Sequence, residues 1–122
     1  MSGAKRKKAE KKGRMAEILA AILLSLKGYQ IIKYRYKCTR GEIDLIALRG
    51  KIIVFIEVKS RKDIEAGILA INASNRKRIA DAASHFCVRN EWSNKYSRRY
   101  DAVLFTPNRF PKHIRDAFRP NT

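Results

Sequence analysis

Gly41-Glu42-Ile43-Asp44-Leu45-Ile46-Ala47-Leu48, then Arg49-Gly50-Lys51, then Ile52-Ile53-Val54-Phe55-Ile56-Glu57-Val58-Lys59 form one unbroken stretch. Two apolar runs of strand length flank a short glycine turn, which predicts an antiparallel hairpin. Asp44 interrupts the first run and Glu57 the second. Acids are depleted in strands, and a carboxylate among apolar neighbours needs a compensating partner. With Gly50-Lys51 as the turn, Arg49 faces Ile52 and Asp44 faces Glu57, and directly opposed side chains have Cβ atoms about 4.5–5.5 Å apart. With Arg49-Gly50 as the turn, the two acids become diagonal neighbours on one face. Lys59 shares the parity of Glu57 and is expected on that face.

Two carboxylates this close repel each other, and a divalent cation between them reverses the sign. Oxygen ligands converging from two strands suit Mg²⁺ or Mn²⁺, which keep waters beside a small number of carboxylates. Lys59 then stands where an ammonium orients a water or neutralises charge growing on a phosphate. The same pattern also describes a structural salt-bridge cluster, in which Lys59 and nearby arginines balance the acids. On the hairpin alone both readings stay open.

Upstream, Met15, Ile18, Leu19, Ile22, Leu23 and Leu26 recur at helical spacing, predicting a helix from about Lys11 to Leu26 that stops at Gly28. Tyr29 to Tyr36 is rich in β-branched and aromatic residues and reads as a strand. Downstream, Ser60 to Asn75 is polar, with a short helix around Ile64–Ile71. A firm helix starts near Ser74 or Asn75 and places Ile79, Ala82, Ala83 and Phe86 on one face. Arg99 to Phe105 is a fourth strand ended by Thr106-Pro107, and Pro111 to Phe118 is a short closing segment. The order is α-β-β-β-α-β, an α/β (α+β) domain with a mixed sheet flanked by helices. Residues 13–122 are expected to form this single domain, behind a disordered basic tail over residues 1–12.

Of 122 residues, 28 are Lys or Arg and 11 Asp or Glu, a formal net charge of +17. The tail holds Lys5, Arg6, Lys7, Lys8, Lys11 and Lys12 against Glu10, yet the rest of the chain is basic as well. Such a balance favours a polyanionic partner, nucleic acid ahead of an acidic membrane. No apolar run reaches the roughly 18–20 residues of a membrane helix. Glu17 and Lys27-Gly28 bracket the Ile18–Leu26 stretch with no small-residue cleavage pattern, which argues against a secretory signal. Cys38 and Cys87 form no C-x-x-C, and His85 and His113 complete no zinc spacing. A reduced, cytoplasmic compartment is the expected home, with both cysteines acting as small hydrophobes.

The Gly41–Ala47 and Val54–Arg61 segments closely resemble the YraN-like uncharacterised protein family, which looks like a small branch of the PD-(D/E)XK, restriction-endonuclease-like nucleases. Gly13-Arg14-Met15-Ala16-Glu17 with Gly28-Tyr29 resembles the family's opening helix. Arg99-Tyr100-Asp101-Ala102-Val103 resembles its last core strand, and His113-Ile114 with Ala117-Phe118 its closing segment. The resemblance implies a restriction-endonuclease-like αβββαβ core. It places Asp44 and Glu57 on the metal-binding acids, Lys59 on the E-x-K lysine, and Glu17 on the helix-borne acid that Holliday-junction-resolvase-like relatives bring to the site. Ile43 departs from the family name, standing where proline precedes the aspartate.

The expectation is a Mg²⁺- or Mn²⁺-dependent endonuclease-like protein hydrolysing DNA, branched or nicked DNA included. Asp44, Glu57, the Val58 carbonyl and Glu17 would hold the metal, and Lys59 would assist the water. The alternative is a DNA- or RNA-binding module that keeps the fold without chemistry. DNA is expected ahead of RNA, with no membrane partner and with a homodimer left open. Glu17 also suits the first turn of a helix as a solvated acid. Arg76, Lys77 and Arg78 crowd a helix N-terminus, which fits phosphate contact and equally a solvated basic face. Asp101 reads as a structural ion pair and His113 as a packing or hydrogen-bonding residue.

Overall fold

A computed structural model describes residues 3–119. Its elements run α1 (Gly3–Leu26), β1 (Gln30–Cys38), β2 (Gly41–Arg49), β3 (Ile52–Ser60), α2 (Ile64–Asn72), α3 (Arg76–Arg89), a short 3-10 turn (Glu91–Lys95), β4 (Ser97–Phe105) and β5 (Lys112–Ile114). The five strands lie in sequence order in one sheet. β1, β2 and β3 form an antiparallel meander, β4 joins β3 in parallel, and β5 adds an antiparallel edge. The α-β-β-β-α-β order expected from sequence is present, with α2 beside α3 in the crossover and β5 within the closing segment. Arg49 pairs with Ile52, so Gly50-Lys51 is the turn, and Gly50 takes the φ of +58° that such a turn asks of its first residue.

The two faces of the sheet bury different helices. On one, Ala20, Ala21 and Leu24 of α1 meet Leu45, Val54 and Val103. On the other, Ile79, Ala82, Ala83 and Phe86 of α3 meet Ile46, Phe55 and Tyr100. Asn75 caps α3 by accepting a hydrogen bond from the Arg78 N–H. The helix α1 starts at Gly3 instead of Lys11. Its added turns contain alanine, lysine and arginine, strong helix formers that extend an existing helix at little cost. The stretch expected to be a disordered tail therefore carries helical backbone from Gly3 onward, exposed to solvent, while Met1 and Ser2 lie outside the described residues. α1 ends at Leu26 as expected, and just beyond it Gly28 takes a φ of +92° while the Tyr29 N–H reaches the Leu24 carbonyl.

The helical stripe read from the large apolar residues faces outward. Met15, Ile18, Ile22 and Leu26 are half or more exposed, while Ala16, Ala20, Ala21 and Leu24 are buried. Alanines let the helix axis settle close to the sheet, and the bulkier residues are left on the solvent side.

Candidate functional site

The β2–β3 ladder ends with Leu45 opposite Ile56. The next pair outward is Asp44 and Glu57, and there the strands part. Instead of a ladder bond, the Val58 N–H donates to Asp44 Oδ2 at 2.8 Å. The alternation of β2 breaks at the same point. Ile43 packs in the α3-side core whereas Leu45, two residues on, packs in the α1-side core. Asp44 thus sits in a fork between β2 and β3, reachable from both faces of the sheet.

On the α3 side, Asp44 and Glu57 line a cavity of about 50 Å³ with Glu42, Ile43, Ile56 and Ile79. Glu57 Oε1 pairs with Lys59 Nζ at 2.9 Å. Its other oxygen, Oε2, is buried with no hydrogen-bond partner, a state that carries a desolvation penalty. On the α1 side, Asp44 shares a larger hollow with Glu17, Lys59, Arg61 and Lys12. The structure therefore brings Asp44 to Glu57 and to Glu17, but those two glutamates line separate hollows. Lys59 links them, touching Glu57 while lining the hollow of Glu17.

Burial pushes the Asp44 carboxyl up to about 6, with Glu17 and Glu57 adding to the rise while the Val58 N–H and Lys59 oppose it. Burial also raises Glu17, against the lowering effect of Arg35. Arg35 Nε lies 3.1 Å from Glu17 Oε1. Sequence reasoning missed this arginine. Its backbone has a φ of +50° in the middle of β1, and the flanking pairs Tyr34–Leu45 and Tyr36–Ile43 put it opposite Asp44. A left-handed non-glycine residue beside a break in a strand is a strained position of the kind found at functional sites. Counting back from the β1–β2 turn would have found it.

Of the three basic residues at the start of α3, Lys77 is tied to Asp81 at 2.9 Å within the helix. Arg78 lends its backbone to packing: a Cβ on Gly41 would lie 2.1 Å from the Arg78 carbonyl oxygen. Only a glycine lets β2 start this close to α3, one turn of strand from Asp44. Asp101 and His113 lie elsewhere. Asp101 is fully buried and accepts bonds from Arg99 Nε and Nη2 at 2.8 and 2.7 Å, from His113 Nε2 at 2.8 Å and from the Asp116 N–H at 2.9 Å. Lys27 in turn bonds His113 Nδ1. Both Asp101 oxygens accept two bonds each, so this network fastens β4, β5 and the residue after α1 together, in keeping with the structural roles expected of Asp101 and His113.

The residues at the fork can be tested against a divalent cation. Among the described residues no three His, Cys, Asp or Glu side chains group closely enough to hold a metal by themselves. Mg²⁺ commonly takes one or two protein carboxylates and completes its shell with water and substrate phosphate. Asp44 and the unpartnered Glu57 Oε2 would supply such a pair, so the residues present fit only an open site of that kind.

Among the described residues, no helix is long and apolar enough to cross a membrane. The model of an uncharacterised protein family, UPF0102, matches residues 16–105. A UPF0102 protein of Rhizobium etli strain CIAT 652 is 42% identical over 113 residues, covering 93% of both chains. One from Sinorhizobium medicae is 42% identical over 111 residues, 91% of each chain. One from Methylorubrum extorquens is 40% identical over 116 residues, 95% of this chain and 91% of its own. The match takes in Glu17, the whole β2–β3 fork and β4 through Phe105, and the relatives span nearly the full chain: the protein belongs to the uncharacterised protein family UPF0102.

Proposed function

We propose that the protein is a metal-dependent phosphodiesterase acting on DNA, with Asp44 and Glu57 holding Mg²⁺ or Mn²⁺ at the fork. The observation that carries this reading is the buried Oε2 of Glu57, which has no hydrogen-bond partner, next to the partly buried Asp44 carboxylate at the parting of β2 and β3. A buried carboxylate oxygen without a donor carries a desolvation penalty that a bound cation would offset. The metal, when bound, supplies Lewis-acid stabilisation of charge on a phosphoryl oxygen. The Val58 carbonyl, next to the N–H that fixes Asp44, is the proposed third ligand.

The chain's own groups divide the remaining work. Lys59, held 2.9 Å from Glu57, donates hydrogen bonds to the attacking water or to a nonbridging phosphate oxygen. The water oxygen bonds to phosphorus as one P–O ester bond breaks; the attacking water gives its proton to bulk water, and the leaving alkoxide takes one from bulk water. Glu17 lies on the far side of Asp44, and its negative charge, muted by Arg35, adds to the rise in the Asp44 pKa. The basic surface, +17 overall, supplies attraction for the polyanion. The second reading, nucleic-acid binding without chemistry, draws on the Lys59–Glu57 and Arg35–Glu17 pairs, which balance two of the three acids without a metal.

Thermal unfolding with and without Mn²⁺, beside cleavage of plasmid and branched DNA, tests the proposal. Mn²⁺ is expected to raise the Tm of the native chain and to leave that of Glu57→Gln unmoved. Cleavage is expected to need the metal and to vanish in Glu57→Gln. If Mn²⁺ leaves the native Tm unchanged and no DNA is cut, the metal site is refuted and the binding module stands.

A further inference from the structure

The hollow that holds Glu17, Asp44 and Lys59 continues away from the acids into two others, and all three meet at Lys12 and Ser60. One continuation, about 620 Å³, runs past the ends of β3 and β4 and is edged by Lys12, Arg61 and Lys62. Among the described residues no carboxylate pairs with any of these three cations. The other, about 430 Å³, lies between α1 and the sheet; its floor is Met15, Ala16, Leu19 and Phe105, and Lys8 and Lys11 stand at its rim. Met15 and Leu19 are 54% and 43% exposed, so the outward-facing stripe of α1 supplies one wall.

Resting on the phosphodiesterase reading, we infer that this junction binds an unpaired stretch of the strand being cut. Phosphates would follow Lys12, Arg61 and Lys62, and one unstacked base would enter the Met15–Leu19–Phe105 hollow. The chemistry is that of single-strand recognition: a cationic track for the backbone beside an apolar, aromatic surface for bases. Charge selects the occupant, because the charged residues lining the apolar floor are Lys8, Lys11 and Lys12, which suits a polyanion that carries flat apolar rings. A second copy of this chain would bring more lysines to the same rim. A duplex keeps its bases paired and stacked and has none to offer the hollow. The substrate class is therefore DNA with a single-stranded or locally unpaired segment beside the scissile phosphate.

Fluorescence anisotropy of the full chain, without divalent metal, against a labelled single strand and the blunt duplex of the same sequence reads this directly. The single strand is expected to bind more tightly. Met15→Ala with Leu19→Ala, both at exposed positions, is expected to weaken single-strand binding about tenfold and duplex binding much less, as for loss of one base-stacking contact. Lys12→Ala is expected to weaken both and to flatten the salt dependence. Equal affinity for the two forms, or an unchanged single-strand affinity in the double variant, overturns the inference. So does a concentration-dependent dimer, seen by sedimentation, that the double variant abolishes. No step of this assay needs cleavage, so the strand preference and the metal site stand or fall separately.

Discussion

Arg35 sits opposite Asp44 across β1 and β2, and its guanidinium leaves the strand to meet Glu17 of α1, Nε to Oε1 at 3.1 Å. The backbone bends to a φ of +50° at this residue, where side chains with a Cβ are strained by roughly 1–2 kcal/mol. The strain and the break in alternation of β2 occur on facing residues, so together they turn Asp44 into the fork.

Arg35→Gly and Arg35→Ala separate the two parts of this arrangement. Both remove the pair with Glu17, and only glycine removes the strain. Arg35→Gly is expected to be more stable than Arg35→Ala by about 1 kcal/mol in urea unfolding. Equal stabilities would mean that the left-handed backbone costs nothing.

Asp44 carries a pH signature. A carboxyl raised in the folded state, from 3.8 to about 6, contributes stability that is complete below the lower value and is lost as pH rises through the higher. Asn in its place keeps an oxygen for the Val58 N–H. Asp44→Asn is therefore expected to match the native chain near about pH 3 and to exceed it by up to about 3 kcal/mol near about pH 7, without metal. Urea titrations at a series of pH values check this; parallel curves would exclude a raised Asp44.

Asp101 should show the opposite sign. Burial works to raise it, but bonds from His113, Arg99 and the Asp116 N–H outweigh burial and bring it down to about 2. Its contribution is present above 3.8 and is lost as pH falls through about 2. Asp101→Asn, which leaves Arg99 without its counter-ion, is expected to cost roughly 3–5 kcal/mol near neutral pH, with the gap closing in acid. A loss that stays constant with pH would locate the cost in packing.

The hairpin is legible from sequence because Gly50 lies between two apolar runs, while the choice between its two registers is made by the pairing of Arg49 with Ile52. The fork is not legible, because counting in twos assumes that the ladder continues, whereas at Val58 a side-chain oxygen replaces the backbone partner. Nothing in Tyr34-Arg35-Tyr36 announces a left-handed residue, since neither glycine nor asparagine is there. In α1 the periodicity identifies the helix but not its buried side: Ala16, Ala20 and Ala21 are weak hydrophobic signals, yet their small size decides which face approaches the sheet. The Asp101 ion pair is readable from Arg99 two residues before it on the same strand face, while its bond to His113 depends on β5 returning beside β4.

The parallel pairing of β3 with β4 has a consequence for the order in which the molecule comes into being. Arg49 finds Ile52 across a tight turn, but Ile52 must wait for Ser97, and Ser60 for Phe105, with two helices made in between. Distant pairings form late because chain closure must be met first. On a growing chain the meander with Asp44 and Glu57 is complete while the outer edge of β3, from Ile52 to Ile56, still lacks its neighbour. That bare apolar edge is the chain's most vulnerable interval for sticking to others, and it ends when β4 arrives with Asp101 to lock it.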